Sequence, residues 1–313
     1  MYVAINQKGQ LVNLLEQKGL KTETYSCPAC RAAVRLKAGK IMRSHFAHIS
    51  LKECKYSSEN ESVQHLSLKS ELYQWLIGQE EVVLEHYMAY SGQIADLFVN
   101  GHLALEVQCS SLSLAELKKR TEAYHQADYQ VIWLLGRDLW VKDRLTQLQK
   151  QVMQFSYNMG FYIWELDDRQ KCLRLRYMIH EDWHGKVQCL SREFPFGRGN
   201  LLSILRLPYT KQAMPFFQAE MDSNLLAYIA QQLYYRVPKW MSLQEHAYKQ
   251  GKNLLNQNLT DFYPQVRLPS SAIGFAQIRQ DLNLVYQSFW HFYDQQVDKK
   301  NQILYPPAHY CQK

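Results

Sequence analysis

Apolar residues alternate with polar ones on either side of Asn6-Gln7-Lys8-Gly9-Gln10, so residues 2–15 read as a β-hairpin. Cysteines and histidines then dominate up to Cys54, and the polar stretch Ser57-Ser58-Glu59-Asn60 has the character of a linker or helix cap. Over residues 62–77 the apolar positions Val63, Leu66, Leu72, Trp75 and Leu76 recur at helical spacing. Strand-like runs follow at 82–86, 94–99 and 103–108, the last two joined by Asn100-Gly101, a strong tight-hairpin signal. A helix is expected over 114–127, and the apolar run 131–135 suits a strand covered on both faces. The order helix, three strands, helix, strand predicts a mixed α/β sheet flanked by helices. Beyond Leu145 the pattern predicts a helix and strands at 161–166 and 172–179, and after Pro208 helices near 216–235, 242–256 and 275–294. The chain divides accordingly into an N-terminal module (1–57), a central α/β domain (58–166) and a mainly helical C-terminal domain (167–313).

Composition supports real cores: 47% of the 313 residues are hydrophobic, with 21 Tyr, 12 Phe and 7 Trp, which excludes wholesale disorder. The first residues lack the basic start and apolar run of a signal peptide and no apolar stretch reaches membrane-spanning length, so a soluble, cytoplasmic protein is expected. Charge is unevenly spread. Residues 1–57 carry 10 Lys/Arg against 3 Asp/Glu, residues 58–164 carry 8 against 13, and residues 165–313 carry 18 against 13. An acidic middle between basic flanks fits a cation site between surfaces that attract phosphate.

Of seven cysteines only the first three cluster. Cys27-Pro28-Ala29-Cys30 is followed after 14 residues by His45-Phe46-Ala47-His48 and then by Cys54. A Cys-x-x-Cys turn lets two thiolates bind one side of a tetrahedral ion while distant ligands close the other. Five candidates compete for four places: Cys27, Cys30 and His45 rank first, with His48 and Cys54 contending for the last. The expected ion is a structural zinc, because a unit of about 55 residues has too little core to fold without such a staple. Lys37, Lys40, Arg43 and Lys52 add phosphate-contact candidates to this module.

The candidate chemistry lies on the hairpin. Alternation sends Glu106 and Gln108 to one strand face and Leu105 and Val107 to the other, and the hairpin can bring Asp96 alongside. A carboxylate on an apolar central strand is costly unless paired or bound to a cation. Mg²⁺ or Mn²⁺ on Asp96 and Glu106 is the expected solution. Upstream, Glu61, His65 and Lys69 share one helical face. Lys118, Lys119 and Arg120, with Tyr124 one turn beyond, are candidates for contact with a DNA backbone.

Asp-x9-Glu-x-Gln between two helices resembles the PD-(D/E)xK nuclease superfamily, with Ala95 in place of the proline and Gln108 in place of the lysine. Taken together, Cys-Pro-Ala-Cys, His-Phe-Ala-His, Glu-Ser-Val-Gln-His-Leu, Ile-Ala-Asp and Leu-Glu-Val-Gln-Cys-Ser closely resemble the CoiA family of competence proteins. The resemblance implies a restriction-endonuclease-like central sheet whose two acids bind metal and whose Gln108 positions the attacking water, with Glu61 of the first helix as a candidate outer metal ligand and Lys69 as a candidate for the missing cationic role. It implies a role in natural transformation, on recombination intermediates after uptake of single-stranded DNA, with DNA and a recombinase or other competence proteins as partners. Because Gln108 cannot supply positive charge, the alternative is a DNA-binding accessory factor that keeps the fold with little catalysis. In the C-terminal part, Tyr228, Tyr234, Tyr235, Trp240, Phe289, Trp290 and Phe292 read as core rather than as a base-stacking platform, and His180, Asp182 and His184 as surface residues.

Overall fold

A computed structural model describes residues 1–17, 23–38, 43–50, 61–89 and 92–311; Cys54, Lys40 and Lys52 lie outside the described residues. The N-terminal module is an antiparallel sheet of β1 (Val3–Ile5), β2 (Leu11–Asn13), β3 (Tyr25–Ser26), β4 (Ala33–Lys37) and β5 (His45–His48), in the order β2-β1-β3-β4-β5. Its core is small: Ala4, Val12, Tyr25, Cys27, Val34 and Phe46.

Helix α1 (Val63–Leu76) leads into the central sheet through β6 (Val82–Met88), β7 (Gln93–Val99) and β8 (Leu103–Gln108). Asn100 and Gly101 both take positive φ (51° and 69°), the mirror-image turn that matches the twist of a two-residue hairpin. Helix α2 (Leu114–Gln126) then returns the chain to β9 (Gln130–Leu135), which runs parallel to β8 with Glu106 opposite Trp133. Strand alternation makes two cores. Leu103, Leu105 and Val107 pack with Leu66, Leu68 and Leu72 of α1 on one face. Ala104, Val131 and Trp133 pack with Leu117 and Tyr124 of α2 on the other. Full burial of each such Leu stabilises by about 1.5–3 kcal/mol relative to exposure.

The sheet does not stop at residue 166. After α3 (Gln147–Val152) and β10 (Gln154–Ser156), the strands β11 (Gly160–Asp167), β12 (Cys172–Asp182) and β13 (Val187–Pro195) form an antiparallel ladder that continues it, giving the order β13-β12-β11-β9-β8-β7-β6. Residues 167–195 are therefore strand and hairpin, and helices resume only at α4 (Leu201–Leu205). Beyond it come β14 (Phe217–Gln218), α5 (Leu225–Tyr234), α6 (Pro238–Lys249), β15 (Val266–Arg267), α7 (Asn283–Asp294), β16 (Ile303–Leu304) and α8 (Pro307–Tyr310). Strand β15 pairs with the end of β12, tying the helical part to the sheet. No helix among the described residues is long and apolar enough to cross a membrane.

Two expectations for this part are corrected. His180 is a core residue, 2% exposed, with its ring 5.8 Å from that of Phe289. An irregularity in the β12–β13 pairing between Tyr177 and His180, with Met178 at φ +50°, accompanies its inward position. The aromatics split: Trp240 and Phe289 are buried, whereas Tyr234 (81%) and Tyr235 (66%) are among the most exposed apolar-bodied residues of the chain.

Candidate functional site

A cleft of about 1410 Å³ opens where the N-terminal module, α1, the hairpin and α2 meet, and its lining includes His48, Glu61, Asp96, Glu106, Gln108 and Lys119. On its α1 side, the Ser62 hydroxyl accepts from the His65 amide and caps the helix, fixing the direction in which the first turn emerges. Glu61, His65 and Lys69 then point the same way because they are four residues apart.

Lys69 is the hub. Its side chain is 1% exposed, and its ammonium donates to Glu61, to Glu85 Oε1 at 2.6 Å and to Asp96 Oδ1 at 3.4 Å. Burial opposes its charge, but the three carboxylates outweigh burial and hold it protonated well above the ordinary lysine range. Glu85 was absent from the sequence-derived candidates. It sits in β6 at φ +52°, between the pairs Leu84↔Leu97 and His86↔Ala95, where its carboxylate also accepts the Tyr2 amide at 2.8 Å and the Val3 amide at 2.9 Å. The clue was a lone acid in the apolar run 82–86, the same clue that marked Glu106.

The β7–β8 register runs from Val99↔Leu103 to Leu97↔Leu105; beyond it Asp96 Oδ2 accepts the Val107 amide at 2.9 Å. The same oxygen lies 3.0 Å from His65 Nε2. Burial would raise the Asp96 carboxyl, yet His65 and Lys69 overcome it and hold it far below the usual carboxylate range. His65 is raised in turn: burial lowers it, and Asp96 outweighs that effect. Glu61 is held down at about 2, with Lys69 the chief cause acting against burial, and it also meets the Met1 ammonium. One ligand atom each from Glu61, His65 and Asp96 lies within 4.8 Å of the others.

Glu106 belongs to a second group. It is 2% exposed and is held by Arg120 Nη2 at 2.8 Å and by the Tyr124 hydroxyl, both from α2. Burial raises its carboxyl despite the Arg120 charge, and the guanidinium lies over the Trp133 ring at 5.0 Å. Gln108 is buried with its amide donating to the Ser110 carbonyl at 2.8 Å. Of the three basic residues proposed to face DNA, Arg120 is thus an internal ion pair and Lys118 donates to the Ile273 carbonyl at 2.6 Å. Lys119 is exposed and lines the cleft.

The donors present suit a divalent cation. Four carboxylates converge with three cations, Lys69, Arg120 and the Met1 ammonium, and with His65, whose charged form Asp96 favours. Two carboxylate oxygens and one imidazole nitrogen match Mg²⁺ or Mn²⁺, and the nitrogen shifts preference towards a transition ion such as Mn²⁺.

In the N-terminal module one atom each of Cys27, Cys30 and His48 lies within 4.8 Å of the others, with Cys30 Sγ 3.4 Å from His48 Nε2. Burial pushes the Cys27 thiol up to about 11. His45, ranked ahead of His48 from sequence, is not brought into this group: its Nδ1 lies 3.0 Å from the Arg43 carbonyl. The reason is strand alternation. His48 pairs with Val34 on the core face of the sheet, and His45, three residues away, projects from the opposite face. Two sulfurs and a nitrogen suit zinc, and Cys54 lies outside the described residues.

Comparison with known proteins accords with this geometry. Residues 61–192 match the nuclease-like domain of competence protein CoiA, and residues 9–57 match the N-terminal domain of competence protein CoiA; together these cover more than half of the chain. Competence protein CoiA of Bacillus subtilis (strain 168) is 30% identical over 159 residues, which are 50% of this chain and 40% of that protein. This chain therefore spans less than half the length of that relative. No solved structure matches at a significant level. With both domain matches in sequence order and the carboxylates of the cleft inside the second, the chain belongs to the CoiA family of competence proteins.

Proposed function

We propose that the cleft is a divalent-cation-dependent nuclease centre that hydrolyses phosphodiester bonds of DNA during natural transformation, on recombination intermediates formed after single-stranded DNA is taken up. The observation that carries this reading is the convergence of Glu61, His65 and Asp96 beside the buried cation Lys69, within the segment matched by a nuclease-like domain. Mg²⁺ or Mn²⁺ bound there would acidify a water and offset charge on the scissile phosphate. Asp96, kept ionised by its neighbours, is ready to act as a ligand, with Glu61 beside it. Glu106 is the second strand acid; Arg120 holds it, and a bound cation would compete with that guanidinium. Gln108 orients the attacking water without adding charge, and Lys69 and Arg120 supply the positive potential that a lysine at 108 would give. A structural zinc on Cys27, Cys30 and His48, with Cys54 as fourth ligand, staples the N-terminal module. In this reading the protein works in the cytoplasm with DNA and a recombinase.

One observation favours a second reading, an accessory DNA-binding factor with little catalysis. Glu106 is already neutralised by Arg120 and Tyr124, and the Gln108 amide is committed to Ser110. The test is to incubate the protein with single-stranded, duplex and branched DNA in Mg²⁺ or Mn²⁺, beside Asp96→Ala and Glu106→Ala. Cleavage that both substitutions abolish supports the nuclease. Equal cleavage by all three proteins sinks the assignment, and DNA binding without cleavage selects the accessory role.

A further inference from the structure

Away from the acidic cleft, a strip of cations runs across the end of the sheet onto the helical part. A second cavity of about 380 Å³ is lined by Lys142, Arg176 and Lys186, with Glu220 the one acid among its lining residues. That acid is 82% exposed and sits 3.7 Å from Lys186, a weakly held pair. The segment carrying Lys142 continues to Arg144, and the Asp143 carbonyl between them accepts the Val187 amide at 2.7 Å, fixing this segment beside β13. Next along lies Lys239, in the first turn of α6, whose ammonium donates to the Trp183 carbonyl at 3.3 Å. Its charge is disfavoured by burial and then by the like charge of Arg267, is favoured by the carboxylates Glu181 and Asp182, and is opposed again by Arg144, which places the three cations in one neighbourhood with those two acids. Arg267 Nε is buried without a hydrogen-bond partner, and neither Lys142, Arg144, Lys239 nor Arg267 has a carboxylate at ion-pair distance among the described residues. Glu181, Asp182 and Asp143 lie nearby without pairing with these four cations, so the strip keeps free cationic groups with which an anion can pair.

The strip ends at the turn between α5 and α6, where Tyr234 and Tyr235 stand 81% and 66% exposed with ring centroids 5.2 Å apart, beside the exposed Arg236. Their neighbours Tyr228 and Trp240 pack towards the small core of this unit; these two rings do not. Exposed aromatic faces next to a basic track are what unpaired bases stack on, whereas a duplex keeps its base faces hidden.

We propose that this strip is a second nucleic-acid site, which holds the backbone of a single strand along Lys142, Arg144, Lys186, Lys239 and Arg267 and stacks bases on Tyr234 and Tyr235. It shares with the proposed function the choice of nucleic acid as ligand and nothing of the cleft chemistry. The test is fluorescence anisotropy of labelled dT30 and of a 30-base-pair duplex, with the full chain in EDTA across a salt series. The wild type binds dT30 at least tenfold tighter than the duplex. Joint replacement of the exposed Lys142, Arg144 and Lys186 by Ala weakens dT30 binding at least tenfold and lowers the slope of log affinity against log salt by about 2, roughly 0.7 per lost phosphate contact. Tyr234→Ala with Tyr235→Ala weakens binding about tenfold and leaves the slope unchanged. Circular dichroism confirms that each variant is folded. Equal affinity and slope in wild type and the triple variant, equal binding of duplex and single strand, or no dT30 binding overturns the proposal. Absence of cleavage in the separate metal-dependent assay leaves these affinities untouched, so the two readings fail independently.

Discussion

Lys69→Met is the most informative single substitution at the cleft. Methionine keeps most of the apolar stem, so little cavity cost is added, and the change isolates the ammonium. Removing one partner of a buried ion pair costs about 3–5 kcal/mol because a charge is left without compensation. Lys69, 1% exposed, faces Glu61, Glu85 and Asp96 together, so the expected loss at pH 7 is at the upper end, about 5 kcal/mol, or on the order of 5–10 °C in Tm for a chain of this length. The pH dependence carries a definite sign. In the wild type Glu61 sits at about 2 against an ordinary 4.5, so it contributes stability that is complete above 4.5 and lost as pH falls towards 2. Without the ammonium the three carboxylates repel one another and take up protons more readily folded than unfolded. The variant therefore recovers stability as pH falls from 7 to 5, where the wild type does not. Urea unfolding followed by circular dichroism at pH 7 and pH 5 measures both, and Glu85→Gln combined with Lys69→Met restores part of the loss by removing one uncompensated charge. A cost below about 1 kcal/mol at pH 7, or parallel pH dependence in the two proteins, would refute the reasoning.

Three further outcomes are expected. His180, buried and held down at about 4 against an ordinary 6.5, contributes stability that is complete above pH 6.5 and lost as pH falls towards 4, amounting to about 3 kcal/mol; His180→Phe flattens the acid limb of a stability–pH curve over that window. Metal analysis of the purified protein finds about one zinc per chain, lost in Cys30→Ser and His48→Ala and kept in His45→Ala; retention in His48→Ala reverses the choice between the two histidines. Gly136→Ala places a Cβ 2.7 Å from Cys109 Sγ and 3.1 Å from its Cα, so backbone must yield and thermal unfolding shows a loss of about 1–3 kcal/mol; an unchanged Tm shows that this approach relaxes freely.

Periodicity was enough to locate α1, the Asn100-Gly101 hairpin, α2 and the buried strand β9, because each of these elements is held by a local rule: helical spacing, a turn that needs positive φ, or an apolar run. The same alternation that drew attention to Glu106 also marked Glu85, whose partners, the Lys69 ammonium and the Tyr2 and Val3 amides, lie on other elements that no local pattern brings to it. His48 rather than His45 lies with Cys27 and Cys30 because residues 45–48 are a strand, a fact set by pairing with β4 across a distance no local pattern reports. Arg120 looked like a solvated cation beside Lys118 and Lys119; its partner Glu106 is on a different element, and only the packing of α2 over β8 joins them. Tyr234 and Tyr235 share their spacing with buried aromatics, and the place where α5 ends leaves them outside. Local rules thus determined which elements form and which residues carry charge, thiolate or imidazole. Tertiary structure decided which of those groups meet, because a buried charge is stabilised only by partners that distant elements bring within a few ångströms.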